Sequence, residues 1–121
     1  MQLVGIGIDW ISSERIRRFM KDHSPSFLER ILTPSEKKKW RQSGRSSLQF
    51  SKFFVAKEAF FKALGGIWMG LEGFSGFDVK GVAGDRFQVE SRDVEIKKGS
   101  RHEGVFLKNE QGVGAHVIVW A

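Results

Sequence analysis

Asp9, Glu58 and Lys62 are the residues whose types and placing could do chemistry. Glu58 and Lys62 stand four apart, one turn of a helix, in a stretch otherwise crowded with Ala and Phe. Charged side chains on a mostly enclosed helix are costly unless they are paired or bound to something. Asp9 closes a short alternating run that begins at Leu3. A hard cation such as Mg²⁺ takes oxygen ligands, keeps several waters, and is commonly held by one or two carboxylates plus substrate phosphates. Asp9 and Glu58 would suffice for that, with Lys62 as a nearby positive charge. Each also has an ordinary structural alternative. Glu58 and Lys62 could form an i,i+4 ion pair worth about 0.2–0.5 kcal/mol, and Asp9 could be a turn or N-cap residue leaving a strand.

Other chemistries find less support. There is no cysteine, which excludes disulfides, thiolate catalysis and Cys-based zinc or iron–sulfur sites. His23, His102 and His116 lack metal-ligand spacing, and no serine stands in a G-x-S-x-G context. Gly65 to Gly76 holds five glycines, but they follow a predicted helix and match neither P-loop nor dinucleotide-binding spacing.

The elements that must position these residues follow from periodicity and punctuation. Leu3 to Asp9 reads as a strand with Val4, Ile6 and Ile8 on one face and Gly5 and Gly7 on the other. The glycines imply close approach of another element or of a ligand. Ser12 or Ser13 caps a short helix with Ile16, Phe19 and Met20 inward and Arg15, Arg17, Arg18 and Lys21 around the rest. Pro25 starts a second short helix carrying Phe27, Leu28, Ile31 and Leu32. Thr33-Pro34-Ser35-Glu36 has the form of a capping box, so a third helix starts there, anchored by Trp40 and stopped at Gly44. Ser47 to Leu64 has no Gly or Pro and is apolar nearly all round, which predicts a long central helix ended by Gly65 and Gly66. Phe77–Val79, Phe87–Val89, Val94–Ile96, Val105–Leu107 and Ala115–Trp120 read as antiparallel strands joined by turns such as Gly84-Asp85. The expected fold is α+β in one domain over 1–121: one N-terminal strand, three to four helices, then a set of antiparallel strands.

With 121 residues, 11 Phe and 4 Trp, the chain can bury a real core. No apolar run is long enough for a membrane span, and the N-terminus lacks the blocks of a signal peptide, so the expected location is the cytoplasm. The net charge of +6 is uneven. Residues 1–66 hold 13 Lys and Arg against 6 Asp and Glu, and residues 67–121 hold 7 against 8. A basic half attracts nucleic acid, an anionic membrane surface, a polyanionic cofactor or an acidic protein. Nucleic acid is disfavoured because the interleaved aromatics fit core positions.

Three blocks resemble the 4′-phosphopantetheinyl transferases, specifically the holo-acyl-carrier-protein synthases. They are Gly5-Ile6-Gly7-Ile8-Asp9 with Arg15-Ile16, Glu29-Arg30-Ile31-Leu32-Thr33 with Glu36, and Ala56-Lys57-Glu58-Ala59-Phe60-Phe61-Lys62-Ala63-Leu64-Gly65. The similarity covers the first 66 residues and continues weakly through Phe74 to Val79. The resemblance implies transfer of the phosphopantetheine arm of coenzyme A to a serine of an acyl carrier protein, with release of adenosine 3′,5′-bisphosphate. It further implies Mg²⁺ on Asp9 and Glu58, Lys62 at the leaving phosphate, and Glu58 or a metal-bound water as base. Gly65, Gly66 and Lys52 are implied at the coenzyme, and Arg15, Arg18 and Lys21 at the carrier protein. A homotrimer with active sites between subunits is implied as well.

The chain departs from the family pattern at several points. Gly65-Gly66-Ile67 stands where Gly-Thr-Gly is usual, and Phe53 where an arginine is usual. Ser12 replaces an acidic residue, and Lys108-Asn109 stand in place of Ser-His. The helix before the penultimate strand is reduced to Lys98–Gly104. These changes bear on coenzyme affinity and the carrier interface more than on the carboxylate pair. The alternative they leave is a non-catalytic member that binds coenzyme A or an acidic protein.

Overall fold

The computed structural model of the chain describes residues 2–65, 73–91 and 100–121. Strand β1 (Leu3–Ser12) is followed by helices α1 (Ser13–Asp22), α2 (Pro25–Glu29), α3 (Pro34–Gln42) and α4 (Ser47–Ala63). A 3₁₀ turn (Phe74–Gly76) leads into strands β2 (Phe77–Ala83), β3 (Arg86–Ser91), β4 (Arg101–Asn109) and β5 (Gly112–Trp120). The strands form one antiparallel sheet in the order β1-β5-β4-β3-β2. The α+β class read from the sequence is the class observed. The predicted strand at Val94–Ile96 lies outside the described residues, and Arg101–Gly104 belong to β4.

Each helix start is built from a local polar signal. Ser12, Ser24 and Ser46 accept backbone N–H bonds from Arg15, Phe27 and Gln49. Thr33 and Glu36 form the reciprocal capping box that their spacing predicts. Gly65 takes φ +99° just past α4, a conformation that favours glycine.

Several boundaries differ from the sequence reading: β2 to β5 are each longer than the runs read as strands, and two differences lie among the first elements. β1 runs on to Ser12, so Asp9 lies within the strand and does not end it. The cause is Ile11, which continues the alternation and is buried opposite Val113. α2 stops at Glu29, and Ile31 and Leu32 are buried from the turn that follows.

The sheet has two unlike faces. Gly5, Gly7, Asp9 and Ile11 of β1 point inward, beside Ala115, Val117 and Val119 of β5. α4 lies directly on β1 and β5, and Phe50, Phe53, Phe60 and Phe61 are buried along it. A Cβ on Gly5 would sit 2.0 Å from the Ala63 carbonyl oxygen, and one on Gly7 would sit 1.8 Å from that of Ala59. The glycine face of β1 is therefore the seat of a helix and not of a ligand. The spacings agree: two residues of strand and one turn of helix each advance about 6 Å. The opposite face carries Val4, Ile6, Ile8 and Trp10 in the open, with Ile8 62% exposed, and Ile118 and Leu107 extend the patch across β5 and β4.

Candidate active site

Asp9 is the next inward residue after Gly7, so the close seat of α4 on β1 brings it to the charged residues of that helix. Lys62 donates to Asp9 Oδ1 at 3.0 Å and to the Ile8 carbonyl at 3.2 Å. The alternative i,i+4 pairing of Lys62 with Glu58 is not formed, because Asp9 takes the ammonium across the helix–strand boundary. Asp9 is not a cap either; that role falls to Ser12. Glu58 has no hydrogen-bond or ion-pair partner among the described residues. Its carboxyl is pushed above the ordinary carboxylate range, first by burial and then by the charge of Asp9, with Lys62 opposing.

Asp9 and Glu58 line one cavity of about 240 Å³ together with Arg15, Ile16, Phe19 and Phe54. Each element that lines it contributes apolar side chains, and among them stand two carboxylates and a guanidinium. Two carboxylates, one without a partner, make an oxygen donor set suited to a hard divalent cation that brings its own waters and phosphate ligands. Among the described residues no group of three His, Cys, Asp or Glu side chains is placed to hold a metal, so softer closed sites are not on offer. A larger cavity, about 420 Å³, lies among Arg86, Gln88, Arg101, His102 and Trp120, shares no lining residue with the first and contains no such carboxylate pair.

The remaining predicted residues distribute unevenly. Arg15 belongs to the carboxylate cavity. Arg18 and Lys21 are exposed on α1, where Arg18 bonds Glu14 at 2.9 Å. Gly65 ends α4 within one turn of Lys62, and Gly66 lies outside the described residues. Lys52 is not brought to the cavity of its own chain. It stands six residues before Glu58, about 240° round the helix, and its Nζ lies 5.5 Å from the centre of the Phe106 ring. Asn109 is spent on the β4–β5 turn, where its side chain accepts from the Gln111 and Gly112 amides.

One cluster escaped the sequence reading. Lys57 is fully buried and donates to Glu36 Oε1 at 2.6 Å, the Phe74 carbonyl at 2.9 Å and the Ile31 carbonyl at 3.0 Å. Glu36 also accepts from the Thr33 and Val79 amides, and neighbouring Asp78 accepts from Thr33 and Ser35. Burial pushes the Glu36 carboxyl up and the Lys57 ammonium down, while their mutual attraction opposes both shifts. All three Lys57 donors and both Glu36 oxygens are engaged, the condition under which a buried pair is tolerated. The signal was present: a further charge on a helix enclosed on nearly every side needs a partner of opposite sign.

Comparison with known proteins places this geometry. A 41% identical relative over 83 residues is a holo-[acyl-carrier-protein] synthase of Neisseria meningitidis serogroup A; the match covers 69% of this chain and 64% of that protein. The crystal structure of a Neisseria meningitidis holo-[acyl-carrier-protein] synthase superposes with TM-score 0.85 at 31% identity, covering 98% of this chain and 99% of that one. A Bacillus anthracis holo-(acyl-carrier-protein) synthase solved in complex with CoA (3′,5′-ADP) superposes with TM-score 0.76 at 26% identity, covering 98% and 97%. Residues 5–118 match the family model of the 4′-phosphopantetheinyl transferase superfamily, a span that holds Asp9, Glu58 and Lys62, and the chain belongs to that superfamily.

Proposed function

We propose that the protein transfers the 4′-phosphopantetheine group of coenzyme A to a serine of an acyl carrier protein. The observation that carries this reading is that Asp9 and Glu58 line one cavity, with Lys62 bonded to Asp9, within the fold of proteins named for that reaction. The serine oxygen forms a bond to the phosphorus bearing the pantetheine arm. The phosphoanhydride bond breaks, and adenosine 3′,5′-bisphosphate leaves with the electron pair. Mg²⁺ on Asp9 and Glu58 would neutralise charge that builds on the pyrophosphate. Lys62, half exposed at its tip, is free to swing from Asp9 to the leaving phosphate and stabilise it. Glu58 or a metal-bound water would take the serine proton.

The basic half supplies the partners. Arg15 at the cavity rim, with Arg18 and Lys21 on the exposed side of α1, faces an acidic carrier protein, and the apolar rings of Phe19 and Phe54 receive its less polar surface. Arg15→Glu should lower kcat/KM for the carrier by about tenfold at low salt, with the gap narrowing as salt rises. A salt-independent loss would remove the steering role. Mixing the chain with coenzyme A, Mg²⁺ and an apo carrier protein and following the carrier's mass tests the reaction itself. Coenzyme A binding with no mass gain on any apo carrier would favour the non-catalytic alternative.

The apolar sheet face supports a homotrimer. Val4, Ile6, Ile8 and Trp10 of β1 and Ile118, opposite Ile6 on β5, form one exposed apolar patch, the kind of surface that marks a protein–protein contact. Lys52, turned away from Glu58 and absent from the lining of its own chain's cavity, is placed to serve a neighbouring subunit's cavity in such an assembly. Ile6→Glu, on the exposed face, should shift the sedimenting mass from trimer to monomer and reduce transfer with it. A trimer that survives the substitution places the interface elsewhere. The reaction belongs in the cytoplasm, where coenzyme A and carrier proteins meet; no helix among the described residues is long and apolar enough to cross a membrane.

A further inference from the structure

We propose that Lys57 and Glu36, which lie outside the cavity, are positioning residues that hold Glu58 opposite Asp9. The inference rests on the transferase reading above, since it assigns these residues a role toward the carboxylate pair. Helices usually find their rotational setting through an apolar stripe, but α4 is buried on nearly every side, so hydrophobic burial discriminates poorly among its rotations. Something directional must fix it.

Lys57 immediately precedes Glu58, and neighbours on a helix project about 100° apart. Where Lys57 is locked, the direction of Glu58 is set. The lock is three-pointed, and each point lies on a different segment: the Ile31 carbonyl after α2, Glu36 in the first turn of α3, and the Phe74 carbonyl in the turn before β2. Glu36 is itself fastened by the Thr33 and Val79 amides. A turn or slide of α4 would strand an ammonium and a carboxylate that are both fully buried, which is far more costly than sliding one apolar residue past another. Glu58, by contrast, has no partner among the described residues to hold it, and its orientation comes from its helix. The charged pair thus acts on the site through the backbone, with no contact to metal or substrate.

The test is binding of Mn²⁺ alone, as a paramagnetic stand-in for Mg²⁺ with the same oxygen preference, to the full chain without coenzyme A or carrier. Lys57→Met removes the lock, and Glu36→Gln, which keeps the volume and an acceptor for the Thr33 amide, is the milder variant should the first not fold. Phe87→Leu, in the buried part of β3 opposite Gly81 and Gly104, serves as a control that loses urea stability without touching the network. Each lock variant should weaken Mn²⁺ binding by about tenfold, within the range typical when support behind a metal ligand is removed. The control should stay within about twofold of wild type. Unchanged affinity in both lock variants, or an equal loss in Phe87→Leu, overturns the positioning role and leaves the transferase reading standing. A wild-type chain that binds no Mn²⁺ at millimolar concentration overturns the metal site and this proposal with it.

Discussion

Glu58→Gln should lower phosphopantetheine transfer by about 10³-fold, close to 4 kcal/mol of transition-state stabilisation, while leaving the chain folded. The substitution is nearly isosteric. It removes no structural hydrogen bond among the described residues, since Glu58 makes none, and it deletes one of the two carboxylates proposed to hold Mg²⁺. The same substitution should raise stability at neutral pH. The folded-state pKa of Glu58 lies above its unfolded value, so between the two the folded chain holds more protons and loses stability as pH rises. Above the folded value the penalty is complete, and glutamine escapes it. Because Glu58 is only half-buried, solvent screening holds the gain to under about 1 kcal/mol. Urea unfolding at pH 7 should show it, and unfolding below about pH 4, where the ordinary carboxylate is largely protonated, should not. Retained transfer would remove Glu58 from the site, and an equal stability difference at both pH values would remove the electrostatic explanation.

The contrast between Asp9, Glu58 and Lys57 shows what local sequence makes legible. The helix starts were readable because a cap and its amide partner lie within three residues of each other, as in Thr33 and Glu36. The candidate carboxylates were readable as charges in apolar settings. Their mutual geometry was not, because Lys62 had two possible partners, one a turn away on its own helix and one 53 residues earlier in the chain. The choice depends on where α4 lies on β1, which is a tertiary fact. Lys57 was missed for a related reason: in a helix apolar all round, periodicity does not say which charge points to solvent, to a cavity or to a buried partner. Lys52 was assigned to the coenzyme without its angular distance from Glu58, about 240° round the helix.

Gly7→Ala should cost at least about 3 kcal/mol of stability, at or beyond the upper end for overpacking, and should reduce transfer together with it. The new methyl would meet the Ala59 carbonyl oxygen at 1.8 Å, the Ala63 amide nitrogen at 2.7 Å and the Ala59 carbonyl carbon at 2.8 Å, all of them backbone atoms that no rotamer change can move aside. β1 and α4 must therefore part by more than an ångström. Asp9 sits two residues further along the same face of β1, and its 3.0 Å contact with Lys62 spans the same gap. The separation that relieves the clash also pulls Asp9 away from the charged residues of α4, and a cation needing ligands near 2.1 Å tolerates little of that. Gly81→Ala is the matched control, since a Cβ there meets nothing within 4 Å and should leave melting and transfer unchanged. Melting within about 1 kcal/mol of wild type for Gly7→Ala would show that the strand and helix are not in contact as described. The glycines of the opening strand thus have a function one step removed from chemistry: they let a helix come close enough for carboxylates from two different elements to share one cavity.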